Sequence, residues 1–225
     1  MSRVSLMYIM LIGLLIACAA NAQPLFNGSE KRPADAIVLF DGKDLSGWNG
    51  QGGKPGWKID DGYMEVVPGT GDIYTKQNFG DCQLHIEFWL PLMADSKGQG
   101  RANSGVFLQA LYEIQVLDSY GLKNGTGDCG AIYSIYPPMV NACRPPKQWQ
   151  SYDVFFHAPK FDDKGNKISN ARMSVLQNGV WIHEYAEVMN PTASPIGHDE
   201  KLPGPIVLQD HGCLVRYRNV WIRPL

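Results

Sequence analysis

From Cys82 to Leu90 the side chains alternate. Cys82, Leu84, Ile86, Phe88 and Leu90 share one parity, and Gln83, His85, Glu87 and Trp89 take the other. A period of two marks a β-strand with one face against a core. By the same rule Tyr112, Ile114 and Val116 of YEIQVLDS form an apolar face, with Glu113 and Gln115 opposite. In NSGVFLQA, Val106 and Leu108 oppose Asn103, Gly105, Phe107 and Gln109. Further strands are predicted in AIVLF, DIYTKQ, QSYDVFFHAP, PIVLQDHG and CLVRYRNVWIRPL, while FDDKGNKISN reads as a polar loop. Asp61-Gly62 and Asn178-Gly179 each separate two strand-like runs, the signal for a two-residue hairpin turn. No window sustains an apolar period of 3.6. The chain is therefore all-β, with about a dozen short strands packed as a β-sandwich or jelly roll.

Composition sharpens this picture. The 225 residues, 44% of them hydrophobic, suit one sizeable domain, and 24 Gly and 15 Pro suit many turns. A net charge of -2 without a basic run argues against a nucleic-acid partner. Arg3, the apolar run VSLMYIMLIGLLIA and the small-x-small site Ala20-Asn21-Ala22 predict a signal peptide over residues 1–22. A linker (23–36) and the domain (37–225) follow, with no transmembrane segment in the mature chain. Leu15-Ile16-Ala17-Cys18 also resembles a lipobox, which would anchor the protein through Cys18. Either reading makes the protein exported, periplasmic or secreted. Four cysteines remain, and Cys129 and Cys143, flanking a compact segment, are the first candidate disulfide. Cys82 and Cys213 would be a second pair or two free thiols.

The polar parities carry the candidate chemistry. If NSGVFLQA and YEIQVLDS pair, Asn103, Gln109, Glu113 and Gln115 line one surface. Asp118 is out of phase with Glu113 and joins only if the strand bends or ends before it. LQDHG adds Gln209, Asp210 and His211, and Gly212 permits a turn after them. These groups, with Arg101 and with Tyr133 and Trp149 nearby, supply the planar hydrogen-bonding partners and stacking rings that a sugar needs. Glu113, Asp118 and His211 are the candidates for general acid and base. The same alternation also fits a solvated sheet face, Asp118 a turn residue and Trp149 a core residue. Arg216 and Arg218 point outward and suit surface ion pairs. GxSxG, a phosphate loop and HExxH are absent.

In order along the chain, LFDGKDLSGW, NSGVFL, YEIQVLDSYG, CGAIY, PPMVNACRPPKQWQSYDVFF, QNGVWI and LQDHGCLVRYRNVWIRPL resemble the 3-keto-disaccharide hydrolase domain family of bacterial exported proteins. The resemblance implies a concanavalin A-like jelly-roll β-sandwich of two antiparallel sheets. It also implies cleavage of oxidised glucosides or disaccharides by removal of the C2 proton, β-elimination and addition of water. An upstream sugar 3-dehydrogenase would supply the ketone. Glu113 or His211 would then act as base or acid, with Asp118 as third candidate. Arg101, Asn103 and Gln115 would hold the substrate or the enolate oxygen, beside Tyr133, Trp149, Gln209 and Asp210. The resemblance assigns no cofactor; it leaves room for a divalent metal on the ketone, for which no ligand set stands out. PKQW departs from the Gly-Glu-Trp-like turn of the family. A non-catalytic carbohydrate-binding module on the same fold is the competing expectation. An endo-glucanase would need a second carboxylate where Gln115 stands.

Overall fold

The computed structural model describes residues 32–193 and 195–225. The expected leader, its Cys18 and residues 23–31 of the linker lie outside them. Two antiparallel sheets face each other as a jelly-roll sandwich. The eight-stranded sheet runs in the order β13 (Val180–Val188), β12 (Ala171–Gln177), β9 (Trp149–His157), β6 (Cys82–Trp89), β15 (Arg216–Pro224), β4 (Tyr63–Glu65) and β3 (Lys58–Asp60), and β1 (Ile37–Phe40) also pairs with β15. The five-stranded sheet runs β2 (Trp48–Asn49), β5 (Ile73–Thr75), β14 (Val207–Leu208), β7 (Ser104–Leu108) and β8 (Tyr112–Val116).

Both hairpin signals hold. Asp61 and Gly62 (φ 43° and 77°) join β3 to β4, and Asn178 and Gly179 (φ 54° and 79°) join β12 to β13. Positive φ at both turn residues matches the right-handed twist of the flanking strands. FDDKGNKISN departs from the polar-loop reading. It forms a small hairpin, β10 (Lys160–Phe161) with β11 (Lys167–Ser169). The Asp162 carboxylate accepts from the backbone N–H of Lys164 and Asn166 and closes that turn locally.

The alternating residues meet between the sheets. Tyr112, Ile114, Val116, Val106 and Leu108 pack against Leu84, Ile86, Phe88, Tyr152, Val154 and Tyr217. Each large side chain buried here contributes about 1.5–3 kcal/mol. Two tyrosines of the large sheet cross this core. Tyr152 donates from its hydroxyl to the Gln115 carbonyl at 2.7 Å. The Tyr217 hydroxyl donates to Ser104 at 2.7 Å, and Ser104 donates to the Gln209 carbonyl at 2.6 Å. The large sheet thus holds the backbone that carries the polar parity of the small one.

The outer face of the large sheet is an ion-pair lattice. Arg216 pairs with Glu65 and lies over Tyr63 and Trp89; Arg218 pairs with Glu87 and lies 4.0 Å over the Trp149 ring. His85 is buried, stacked on Trp221 and 2.6 Å from Asp153. Burial opposes its charge, but hydrogen bonds to Asp153 and Glu87 outweigh it and raise its pKa to about 9. A raised folded pKa contributes stability that is fully present below the ordinary 6.5 and is lost as pH rises through about 9. Asp153→Asn is expected to lower stability by about 1–3 kcal/mol at pH 6 and to flatten this loss, measured by denaturant unfolding between pH 6 and 10.

Candidate functional site

Outward-facing residues of the small sheet fall into rows across its strands. Val207 stands opposite Tyr74 and Phe107, Phe107 opposite Glu113, and Gly105 opposite Gln115. Carrying the register one residue past Leu208 sets Gln209 between Asp72 and Gly105, and the Gln209 N–H donates to the Gly105 carbonyl. A bridge between Ile114 and Ile132 adds the 130–133 segment beyond β8 and brings Tyr133 beside Glu113. One row therefore reads Asp72, Gln209, Gly105, Gln115. The next reads Tyr74, Val207, Phe107, Glu113, Tyr133.

Glu113 dominates this surface. It is 4% exposed. Its carboxylate leans out of its own row over Gly105, so a Cβ built there would come within 2.5 Å of its Oε1. Among the described residues nothing hydrogen-bonds to that carboxylate. Burial, and then the charge of Asp72, push its pKa up to about 7. A carboxyl tuned near neutral pH in a sheet floor is the form a general base or acid takes.

Amides fill one side. Gln115 donates to the Gln99 side-chain oxygen at 2.8 Å, Asn103 donates to the same oxygen at 3.1 Å, and Gln99 donates to the Gly127 carbonyl at 2.8 Å. This leaves the side-chain oxygen of Asn103, a residue 3% exposed, buried without a partner. Such an acceptor costs free energy until a donor, such as a sugar hydroxyl, reaches it.

Asp72 stands on the other side. Its Oδ1 accepts the Asp210 N–H at 2.8 Å, and Asp210 Oδ2 accepts the N–H groups of Gly69 and Gly71. Asp210 thus shapes the loop that presents Asp72. Burial raises the pKa of Asp72, Asp210 adds to this by its charge and lowers it by its N–H, and His211 lowers it by charge. His211 is exposed and close enough to act on Asp72. A cleft of about 560 Å3 opens beside Asp72, lined also by Tyr74, Gln51, Pro195, Ile196 and the glycines 50, 52, 53 and 71.

The expected site residues do not all converge. Glu113, Gln115, Asn103, Gln209 and Tyr133 share one surface, with Asp210 and His211 at its rim. Asp118 is committed elsewhere. Its Oδ2 accepts from Arg101 Nη2 at 2.9 Å, its carbonyl accepts from Arg101 Nε at 2.8 Å, and its N–H donates to the Arg101 carbonyl. Arg101 and Asp118 form a clasp that fixes the turn bearing Gln99 and Asn103. Trp149 belongs to the large sheet, under Arg218, and not to this surface. The Cys129–Cys143 bond is not formed. All four described cysteines are free and buried; the Cys129 thiol meets the Tyr152 hydroxyl at 3.2 Å, and the Cys143 thiol faces the Arg144 carbonyl at 3.5 Å. No three His, Cys, Asp or Glu side chains are grouped to hold a metal among the described residues. No helix there is long and apolar enough to cross a membrane. Sequence reasoning missed Asp72, Tyr74 and Gln99. Alternation in DIYT, with Asp72 and Tyr74 opposite Ile73 and Thr75, was the available signal for the first two.

The model of 3-keto-alpha-glucoside-1,2-lyase-like domains matches residues 35–223. A 3-keto-disaccharide hydrolase of Bacteroides thetaiotaomicron is 24% identical over 249 residues, spanning 86% of this chain and 80% of that protein. A crystal structure from Parabacteroides distasonis, described provisionally as a glycosyl hydrolase, is 42% identical with a TM-score of 0.79, covering 86% of this chain and 85% of its own. A second structure from that organism, similarly described, is 24% identical with a TM-score of 0.59 and shares the fold.

Proposed function

Because the chain belongs to the family of 3-keto-alpha-glucoside-1,2-lyase-like domains, we propose that it cleaves glycosides whose sugar carries a ketone at C3. The ketone acidifies the C2–H. Glu113 takes that proton, and the C2–H electrons form the enolate. The enolate collapses, C3=O re-forms, C1=C2 forms and the C1–O bond breaks. His211, exposed at the rim beside the ionised Asp72, supplies the proton to the leaving oxygen. Water then adds to C1 and a proton returns to C2, giving the free 3-keto sugar and the released alcohol. Gln209, between Asp72 and Gly105, faces the C3 oxygen and steadies its developing charge, while the Asn103 oxygen accepts a sugar hydroxyl.

The observation that carries this reading is the buried, unpartnered Glu113 with its pKa near 7. A binding module has no use for a carboxyl so tuned. The names of the two relatives, a 3-keto-disaccharide hydrolase and a glycosyl hydrolase, agree with it. A two-electron oxidation at C3 must precede the step, as a sugar 3-dehydrogenase would perform. The leader pattern supports action outside the cytoplasm.

Product analysis on 3-keto-trehalose and 3-keto-glucosides, with unoxidised glycosides as controls, tests the reaction. Release of 3-keto-glucose from the oxidised substrates alone is expected. Sugar binding without turnover of any keto-glycoside would return the protein to the binding-module class. The acidic limb of kcat/KM is expected to rise through about pH 7, where Glu113 loses its proton. A limb set below pH 5 would remove Glu113 as the base.

A further inference from the structure

The cleft beside Asp72 is not needed to hold the sugar that reacts. Glu113 acts above Gly105, and the amides of Asn103, Gln99 and Gln115 lie on the side of Gly105 away from Asp72. Strands about 4.8 Å apart put the backbone of Asp72 about 10 Å from that of Gly105. Asp72 therefore stands two strands from Gly105, on the side of Glu113 opposite the Gln115 amide, and the cleft opens beside it.

Its lining is specific in character. Tyr74 is half-buried against Phe107 and Val207, which hold it in place. Pro195 and Ile196 come from the chain that crosses the small sheet, which is tied down by the Thr192 hydroxyl accepting the Glu113 N–H and by Gln109 donating to the Glu200 and Leu202 carbonyls. Gly52 and Gly53, at φ 70° and 88°, leave bare backbone on the remaining wall. Among the described residues Gln51 is the only amide side chain in the lining, Asp72 is the only charged one, and no Lys or Arg lines the cleft. A ring with an apolar face can lie against Tyr74 and Ile196 and still reach Gln51 with a hydroxyl. An anionic group would meet Asp72, with Asp210 and Glu113 behind it.

We propose that this cleft is the leaving-group subsite of the keto-glycoside reaction, and that it takes a neutral ring with an apolar face, pyranose or aryl, and disfavours anionic ones. This rests on the function proposed above. Ile196, 37% exposed, supplies the test because its replacement leaves the core intact.

The full-length protein and its Ile196→Asp variant are compared on 3-keto-glucosides with methyl, phenyl and glucosyl leaving groups, each substrate judged as variant against wild type. Ile196→Asp is expected to lower kcat/KM about 10-fold for the phenyl and glucosyl substrates and to leave the methyl one within about twofold. A loss for phenyl alone or glucosyl alone identifies which ring the cleft was shaped for. In the wild type a carboxyphenyl leaving group should be at least about 10-fold poorer than phenyl, and Ile196→Arg should narrow that gap. Equal effects on methyl and ring substrates, or none on any, would overturn the subsite while leaving the reaction standing. If the wild type turns over none of the three, the reaction fails, and the subsite with it.

Discussion

Glu113→Gln is expected to lower kcat on a 3-keto-glucoside by roughly 10²–10⁴-fold, the usual worth of a positioned general base. The amide keeps the shape of the side chain and its place over Gly105 but cannot take a proton. The same substitution should leave a thermodynamic trace. Glu113 titrates near 7 in the folded protein, against the ordinary 4.5. Between these values the folded state holds a proton that the unfolded chain has released, so wild-type stability falls as pH rises from 4.5 to about 7 and is level above. The loss attached to this one group is about 3 kcal/mol at most. Glu113→Gln removes it. The stability of the variant relative to wild type should therefore improve by up to that amount between pH 4.5 and 8, read by denaturant unfolding at both. A variant inactive and unchanged in its pH dependence of stability would mean that Glu113 is not the tuned group described here.

Gly105→Ala is the second large effect. Gly105 lies in β7 with ordinary strand backbone, so alanine brings no conformational penalty of its own there. What it brings is a Cβ 2.5 Å from Glu113 Oε1 and 2.8 Å from the Phe107 ring. Phe107 is packed with Ala110 and Val207 and has little room to yield. The carboxylate must swing away. A displacement of about 1 Å costs about 10²-fold in rate, and overpacking costs about 1–3 kcal/mol in stability. Gly105→Ala retaining activity within about twofold of wild type would show that the carboxylate does not work from above this glycine.

Face was readable from the sequence; neighbours were not. Tyr112, Ile114 and Val116 alternate with Glu113 and Gln115, and the two sets separate into core and outer surface because a strand turns successive side chains to opposite sides. Asp61-Gly62 and Asn178-Gly179 carried their hairpins for an equally local reason. Trp149 shows the limit. Alternation says that it lies on a face, but only the pairing of β9 with β6 decides that the face belongs to the other sheet. His85 and Asp153 meet across 68 positions through that same pairing, and no local pattern announces a buried ion pair. Asp118 pairs with Arg101 through a contact that depends on how the strand ends. Asp72 joined the site because β14 lies between β5 and β7, an order that only the completed sheet defines.

In the proposed reaction Glu113 removes the C2 proton before the glycosidic bond breaks. Cleavage of a 3-keto-glucoside in D2O, followed by mass and NMR analysis of the released sugar at early times, tests it directly, with free 3-keto-glucose incubated alongside to measure background exchange. One deuterium is expected at C2 of the product, above background, with product formation abolished in Glu113→Gln. A product formed at full rate with hydrogen retained at C2 would contradict it and would mean that the C1–O bond breaks by direct hydrolysis.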